Sequence, residues 1–289
     1  MVHEPVKITV LADLAAKEGL DTEHGFAAWV EIGKHSILFD TGQTGVMQAN
    51  AARLGLDLKK AEALVLSHGH FDHTGTLPEF LSENSTANVY FAHGLNIDRY
   101  SCKPGTPVRS IGMPESSRQA LAAVPPSRIR ELEQPQYMMP GVGLTGPVPR
   151  VSNFEDVGGP FFLDPESHQD DLIEDDQSMW FETNDGLVIL LGCCHSGVVN
   201  TINYIRKFSG IDKIKGVIGG MHLVNADQPR LDQTFKTMAE WQPEFLIPCH
   251  CTGANASEQM QGTLGSKIVH PGHAGMEIEV GHLRNKAKL

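Results

Sequence analysis

Short apolar runs closed by a glycine, a cysteine or an acid recur along the chain. Residues 6–11 alternate apolar and polar positions and predict a first strand. Residues 26–32 and 36–40 predict a hairpin that turns at Gly33-Lys34. Residues 45–54 have helical apolar spacing, 63–67 read as a short buried strand, 76–81 begin a helix and 88–92 form another strand. In the second half, 187–191 predict a strand and 216–218 a short one, with 245–248 as a last core strand. Helices are predicted from 198, with apolar positions Val198, Val199, Ile202, Ile205 and Phe208, and over 228–241, with Pro229 in the first turn. Strand and helix alternate, which predicts an α/β layered fold.

The stretch 103–165 breaks this rhythm. It holds eleven of the seventeen prolines, so it is neither continuous helix nor central strand. A solvated linker would not carry Ile111, Met113, Leu121, Met138, Met139, Leu144, Phe154, Phe161 and Phe162. The expectation is a single domain over 1–289 with an ordered insertion at about 103–165, folded over it as a wall or lid of a site.

Several strands end alike: an apolar run, then glycine or cysteine, then a histidine. This occurs at His68, His195, His222 and His250. Strands of one sheet that end on the same side would bring these places together. The densest of them is Ser67-His68-Gly69-His70-Phe71-Asp72-His73, with three histidines and one aspartate in six positions. No packing requirement asks for that density of imidazole, but a metal site does. In an extended turn His68 and His70 point the same way and can grip one ion, while Asp72 and His73 project to a neighbouring position. Neutral imidazole and carboxylate suit zinc first, with manganese or iron as alternatives. One loop cannot complete two coordination shells, and His195 and His250 are the best placed to add to it. Two ions about 3.5–4 Å apart would lower the pKa of a bound water and polarise a carbonyl or phosphoryl oxygen. Asp72 could then both bind metal and orient the nucleophile. No Gly-x-Ser-x-Gly elbow or Walker loop competes with this reading.

Other residues have weaker signals. His222 is expected to donate to substrate or to a developing oxyanion, or else to pack behind the site. Arg150 is expected to hold a phosphate or carboxylate, or else to be a surface arginine. The first amides of the helix after Ser196-Gly197 could receive an anion. Asp175 and Asp176 either orient metal-bound imidazoles or belong to a solvated acidic loop. Asp40, at a strand exit, is a site residue or a turn cap. Cys194 is a buried thiol or a soft ligand.

The net charge of −12 argues against a nucleic-acid partner, though not against an anionic small molecule, because divalent metals reverse the local sign. The polar N-terminus and the lack of any membrane-length apolar run make a cytoplasmic location the expectation, with no membrane partner. Five cysteines cannot all pair within one chain, so reduced thiols are expected. Self-association is left open.

Asp40 in Phe-Asp-Thr-Gly, the His68–His73 signature, His195 after its strand and His250 near the end resemble the metallo-β-lactamase superfamily. The resemblance implies an αββα sandwich, two mixed sheets flanked by helices in four layers, with a dinuclear metal centre at the sheet edge. A narrower likeness rests on residues 145–150, Asp175-Asp176-Gln177, residues 192–197, Gly219-Gly220-Met221-His222-Leu223 and residues 248–253. These are similar to dihydropterin-ribofuranosylaminobenzene phosphate synthases. Glyoxalase-type relatives place a metal-bridging aspartate after a strand-end glycine. Here that strand end reads Gly192-Cys193-Cys194-His195, with no aspartate, and the upstream candidates are His168, Asp170, Asp171, Asp175 and Asp176. The leading expectation is a metal-dependent hydrolase of a small anionic ester, phosphodiester or lactone. The synthase-like transferase is the alternative. A redox di-iron protein ranks lower, because such relatives carry glutamate where His70 stands. So does a non-catalytic binding module, because the signature is intact.

Overall fold

The computed structural model describes residues 5–284. The polar character read for residues 1–4 lies outside them. Two sheets pack face to face across a shared core. The seven-stranded sheet runs in the order Glu277–His282, Pro5–Ala12, Ala27–Ile32, His35–Phe39, Ala63–Val65, Asn88–Ala92, Ile129–Leu132. The six-stranded sheet runs Phe245–Cys249, Ile214–Gly220, Gly186–Leu191, Met179–Thr183, Val142–Leu144, Gln136–Met139.

Strand periodicity explains the layers. Ala28, Val30 and Ile32 point into the core between the sheets, while Ala27 and Trp29 point outward onto the helices Val46–Arg53, Leu77–Glu83 and Glu115–Ala122. In the other sheet Val188 and Leu190 point inward, and Leu187, Ile189 and Leu191 meet the helices Val198–Ser209, Gln228–Trp241 and Ala254–Leu264. A strand covered on both faces reads as an unbroken apolar run. The expected αββα sandwich is the fold found.

The predicted strands and helices are present, with shifts of a few residues at their ends. Met179–Thr183, Ala254–Leu264 and Glu277–His282 were not foreseen. Ala254–Leu264 has little apolar periodicity and buries only Ala256, Ser257 and Met260. Glu277–His282 alternates exposed and buried positions at the sheet edge and is recognisable mainly by its pairing with Pro5–Ala12.

The stretch 103–165 is not one insertion lying over the domain. Its middle enters both sheets, through Ile129–Leu132 in one and Gln136–Met139 and Val142–Leu144 in the other. Its ends help to form a small third sheet from Tyr100–Ser101, Arg109–Ser110 and Phe161–Phe162. Prolines sit between these short strands, where no ladder donor is needed.

His35–Phe39, Ala63–Val65, Asn88–Ala92 and Ile129–Leu132 are mutually parallel, and so are Gly186–Leu191, Ile214–Gly220 and Phe245–Cys249. Polar residues that follow parallel strands collect along one edge of each sheet. No helix among the described residues is long and apolar enough to cross a membrane. The five cysteines are free, and all but Cys102 are buried.

Candidate metal centre

At the end of His35–Phe39, Asp40 turns the chain with φ 58°. Its carboxylate accepts from the Ser67 N–H and hydroxyl, both at 2.7 Å, and lies 2.7 Å from His73 Nδ1. It therefore fixes both ends of the histidine loop. Between His68 and His70 the backbone passes so close to the Leu95 carbonyl that a Cβ at Gly69 would overlap it. The Gly69 N–H donates to Asp175 Oδ2 at 2.8 Å. Asp175 is clamped in turn by Arg99, a fully buried guanidinium that donates Nη1 and Nη2 to it at 3.1 and 2.5 Å and Nε to Asp171 at 2.9 Å. Burial pushes the Asp175 carboxyl up, against the opposing pull of Arg99.

From the second sheet, Asp176 accepts from the Ser196 N–H at 2.9 Å, beside His195, and burial pushes its pKa to about 6. Asp13 accepts from the His250 N–H at 2.8 Å. Cys194, His222 and His250 have φ of 58°, 45° and 46°. Such backbone costs about 1–3 kcal/mol per non-glycine residue and gathers at functional sites.

These supports bring the dispersed histidines together. His68 Nε2 and His70 Nδ1 are 3.0 Å apart, and the His195 ring lies 4.8 and 4.9 Å from theirs. The rings of His73 and His250 are 5.1 Å apart, and those of His195 and His222 are 4.1 Å apart. Asp72 Oδ2 sits 3.3 Å from His250 Nε2 and 4.0 Å from His73 Nε2. Donor atoms of His68, His70 and His195 form one group within 4.8 Å, and those of Asp72, His73 and His250 form another. Ring orientation is set from behind: His195 Nδ1 meets the Val157 carbonyl at 2.8 Å, His73 Nδ1 meets Asp40, and His68 Nδ1 meets the Ser67 hydroxyl at 2.9 Å. Each leaves Nε2 towards the cluster, as outer partners of ligating histidines do.

The donor set fits a divalent cation. His70 Nε2, His195 Nε2, His222 Nδ1 and His250 Nδ1 are buried without a hydrogen-bond partner, which native interiors rarely allow. Burial, reinforced by the neighbouring imidazoles, pulls His68, His70 and His195 well below the usual histidine range, so they stand ready in the neutral form a metal requires. The cluster faces a cleft of about 520 Å³, whose outer rim includes Lys103, Arg109 and Phe161 from the region of the small sheet.

Some expected residues lie elsewhere. Arg150 does not line this cleft; it donates to the carbonyls of Leu172 at 3.0 Å and His195 at 2.5 Å, so its guanidinium is engaged by main chain. The helix after Gly197 already has its first amides taken, by Glu155 at 2.8 and 2.9 Å. Of the upstream candidates, His168 and Asp170 are exposed, and Asp171, Asp175 and Asp176 hold Arg99 or Ser196. Cys194 packs in the apolar core with its Sγ 3.4 Å from Thr201 Oγ1. Cys193 faces the cleft instead.

Sequence reasoning missed Asp13, His24, Arg99, Cys193 and Cys251. His24, on a loop, brings Nε2 to 3.4 Å from Asp72. Only Cys193 and Cys251 had a signal, their closeness in sequence to His195 and His250, two positions and one position away.

The chain matches the family model of the metallo-beta-lactamase superfamily over residues 20–204. It belongs to that superfamily. It is 30% identical over 284 residues to an uncharacterised protein of Methanocaldococcus jannaschii, across 94% of this chain and 100% of that one. It is also 30% identical over 244 residues to the 7,8-dihydropterin-6-methyl-4-(beta-D-ribofuranosyl)-aminobenzene-5'-phosphate synthase of the same organism, covering 81% and 83%. A solved structure, Tm1679, described as a metal-dependent hydrolase of the beta-lactamase superfamily, superposes with a TM-score of 0.79 at 28% identity over 96% of this chain and 99% of that one.

Proposed function

We propose that this metallo-β-lactamase-fold chain is a metal-dependent hydrolase of a small anionic ester, phosphodiester or lactone. The observation that carries the reading is the set of unpartnered buried imidazole nitrogens on His70, His195 and His222, all on the wall of one cleft. On this reading His68, His70 and His195 hold one ion and Asp72, His73 and His250 a second, with zinc expected. Divalent ions bound there supply a water of lowered pKa and a Lewis acid for the oxygen of the scissile group.

The chain's own residues do the rest. Burial pushes the Asp72 carboxyl up, but the His73 and His250 imidazoles outweigh it and hold the pKa well below the usual carboxylate range. Asp72 therefore stays ionised and would orient an attacking water as a hydrogen-bond acceptor. His222, seated beside His195, donates to the oxygen on which charge develops. Asp72 is the one carboxylate among the described residues lining the cleft, while Lys103 and Arg109 line it too. In a chain of net charge −12 that local asymmetry favours an anion.

The test is elemental analysis of the purified protein, joined to a screen of ester, phosphodiester and lactone substrates with and without a chelator. Bound metal and chelator-sensitive hydrolysis are expected; turnover indifferent to metal removal would overturn the reading. The likeness to the archaeal synthase favours a second reading, in which an amine rather than water is the nucleophile. Supplying a dihydropterin donor with a ribofuranosyl-aminobenzene phosphate separates the two, because a product joining them supports only the transferase.

A further inference from the structure

We propose that Cys193 and Cys251 form a dithiol oxidation site on the cleft, which a low-molecular-weight disulfide of the glutathione class closes into a Cys193–Cys251 bridge. The effect of the bridge on turnover rests on the metal reading above; the bond itself does not.

The two residues are 58 positions apart. Cys193 follows the strand Gly186–Leu191 and Cys251 follows Phe245–Cys249, with Ile214–Gly220 between those strands in the sheet. Gly220 closes the gap because it has no side chain. A Cβ there would stand 2.6 Å from Cys251 Sγ and 3.3 Å from Cys193 Cα. Its N–H donates to the Gly192 carbonyl at 2.9 Å, which holds the Cys193 exit against the middle strand. Cys251 Sγ consequently lies 3.5 Å from the Cys193 carbonyl, and the two sulfurs are within 4.8 Å of each other. Side-chain rotation covers the remaining distance to a sulfur–sulfur bond of about 2 Å.

The other thiols are turned away. Cys194 packs in the apolar core beside Thr201, and Cys249 Sγ lies 3.5 Å from the Ile247 carbonyl. Of the five cysteines, Cys193 and Cys251 are the two that line the cleft.

Cys251 is 8% exposed and Cys193 2%, so a reagent entering the cleft meets Cys251 first. Cys251 attacks one sulfur of the small disulfide, whose own S–S bond breaks, and one small thiol leaves with the Cys251 proton. Cys193 then attacks the mixed disulfide at Cys251. The protein bridge forms, and the second small thiol leaves with the Cys193 proton. Two protein thiols are oxidised and one small disulfide is reduced. The bridge ties together the strand exits that carry His195 and His250, one imidazole from each donor group, and shifts a sulfur that sits 3.1 Å from His73 Nε2.

The test exposes full-length, chelator-treated protein to glutathione disulfide, counts free thiols and maps the pairing by peptide mass after alkylation. The wild type is expected to fall from five free thiols to three, to lose the mass of two hydrogens, to show the Cys193 and Cys251 peptides linked, and to recover with dithiothreitol. Cys251→Ser should show no linked peptides. Five retained thiols, a glutathione adduct that never resolves, or a link through Cys194 or Cys249 overturns the site; the wild-type map decides this even if the variant does not fold. After metal is restored, the bridged protein should hydrolyse about tenfold more slowly or worse, the loss that disturbance beside ligating imidazoles produces. A bridged protein of full activity overturns the effect on turnover. A bridge in a protein that binds no metal supports the oxidation site and overturns the metal reading instead.

Discussion

His68 and His70 meet His195, and Asp72 and His73 meet His250. Each group draws two side chains from the loop after Ala63–Val65 and one from an exit of the second sheet. Their charge differs. In the first group burial, with the neighbouring imidazoles, drives all three rings towards neutrality. In the second, burial also works against charge, but Asp40 and Asp72 overcome it at His73, and Asp72 leads the groups that lift His250 to about 9. A cation would enter the first group without displacing a proton and the second only in exchange for protons. The same residue type thus becomes a ready ligand or a proton store, depending on whether nearby carboxylates outweigh burial, as they do at His73 and His250 and Asp72 does not at His70.

The largest effect should come from emptying the first group. His70→Ala is expected to take hydrolysis to background and lower the metal content while unfolding stays cooperative, because the ring is outside the apolar cores. Full metal content by elemental analysis would break the comparison at its root. Next comes the brace that only the first group has. Arg99→Met would leave Asp171 and Asp175 buried without their cation, a loss of about 3–5 kcal/mol on thermal or denaturant unfolding. An unchanged melting midpoint would show that the Gly69 contact does not depend on Arg99.

Proton competition should separate the groups more gently. Below about pH 9 a proton on His250 opposes metal, and a proton on His73 adds to it at lower pH, so affinity at the second group should fall by about tenfold per pH unit for each proton displaced, while the first stays flat through neutrality. Metal titrations at pH 7 and pH 9 giving equal ratios for the two sites would remove the distinction. Stability of the metal-free protein follows the opposite sign. His250 has a raised folded pKa, so its contribution is complete below about 6.5 and is lost as pH rises through about 9. His68, His70 and His195 have depressed values, so their burial favours folding above about 6.5 and disfavours it in acid.

The smallest effects concern the rim. Arg109→Ala should raise KM for an anionic substrate several-fold and leave a neutral analogue nearly unchanged. Arg150→Ala, which removes hydrogen bonds to the carbonyls of Leu172 and His195, should affect both substrates alike. A selective effect of Arg150→Ala would restore it as an anion contact.

Local spacing carried much of this molecule. The run at 187–191 is apolar throughout because both of its faces are covered, and the donors at 68–73 are neighbours whatever the rest of the chain does. Apolar runs followed by histidine at 68, 195, 222 and 250 pointed to the edge of one sheet. The last three do follow parallel strands of one sheet, but His68 follows Ala63–Val65 of the other, so two sheet edges meet at the site. Arg150 and Arg99 show where local reading stops. Both are arginines in polar stretches, and nothing nearby says that the first would serve main-chain carbonyls and the second a buried pair of aspartates.

The sequence alone determined the strand and helix alternation and the four donors of the histidine loop, because these depend on contacts within a few residues. Only the tertiary structure decided that Asp175 braces Gly69 across 106 positions, that Cys193 rather than Cys194 meets His73 across 120, and that Asp13 holds His250 across 237. Spacing makes adjacent side chains diverge, but which of them faces the cleft is set by how two sheets pack and how strained turns leave their strands.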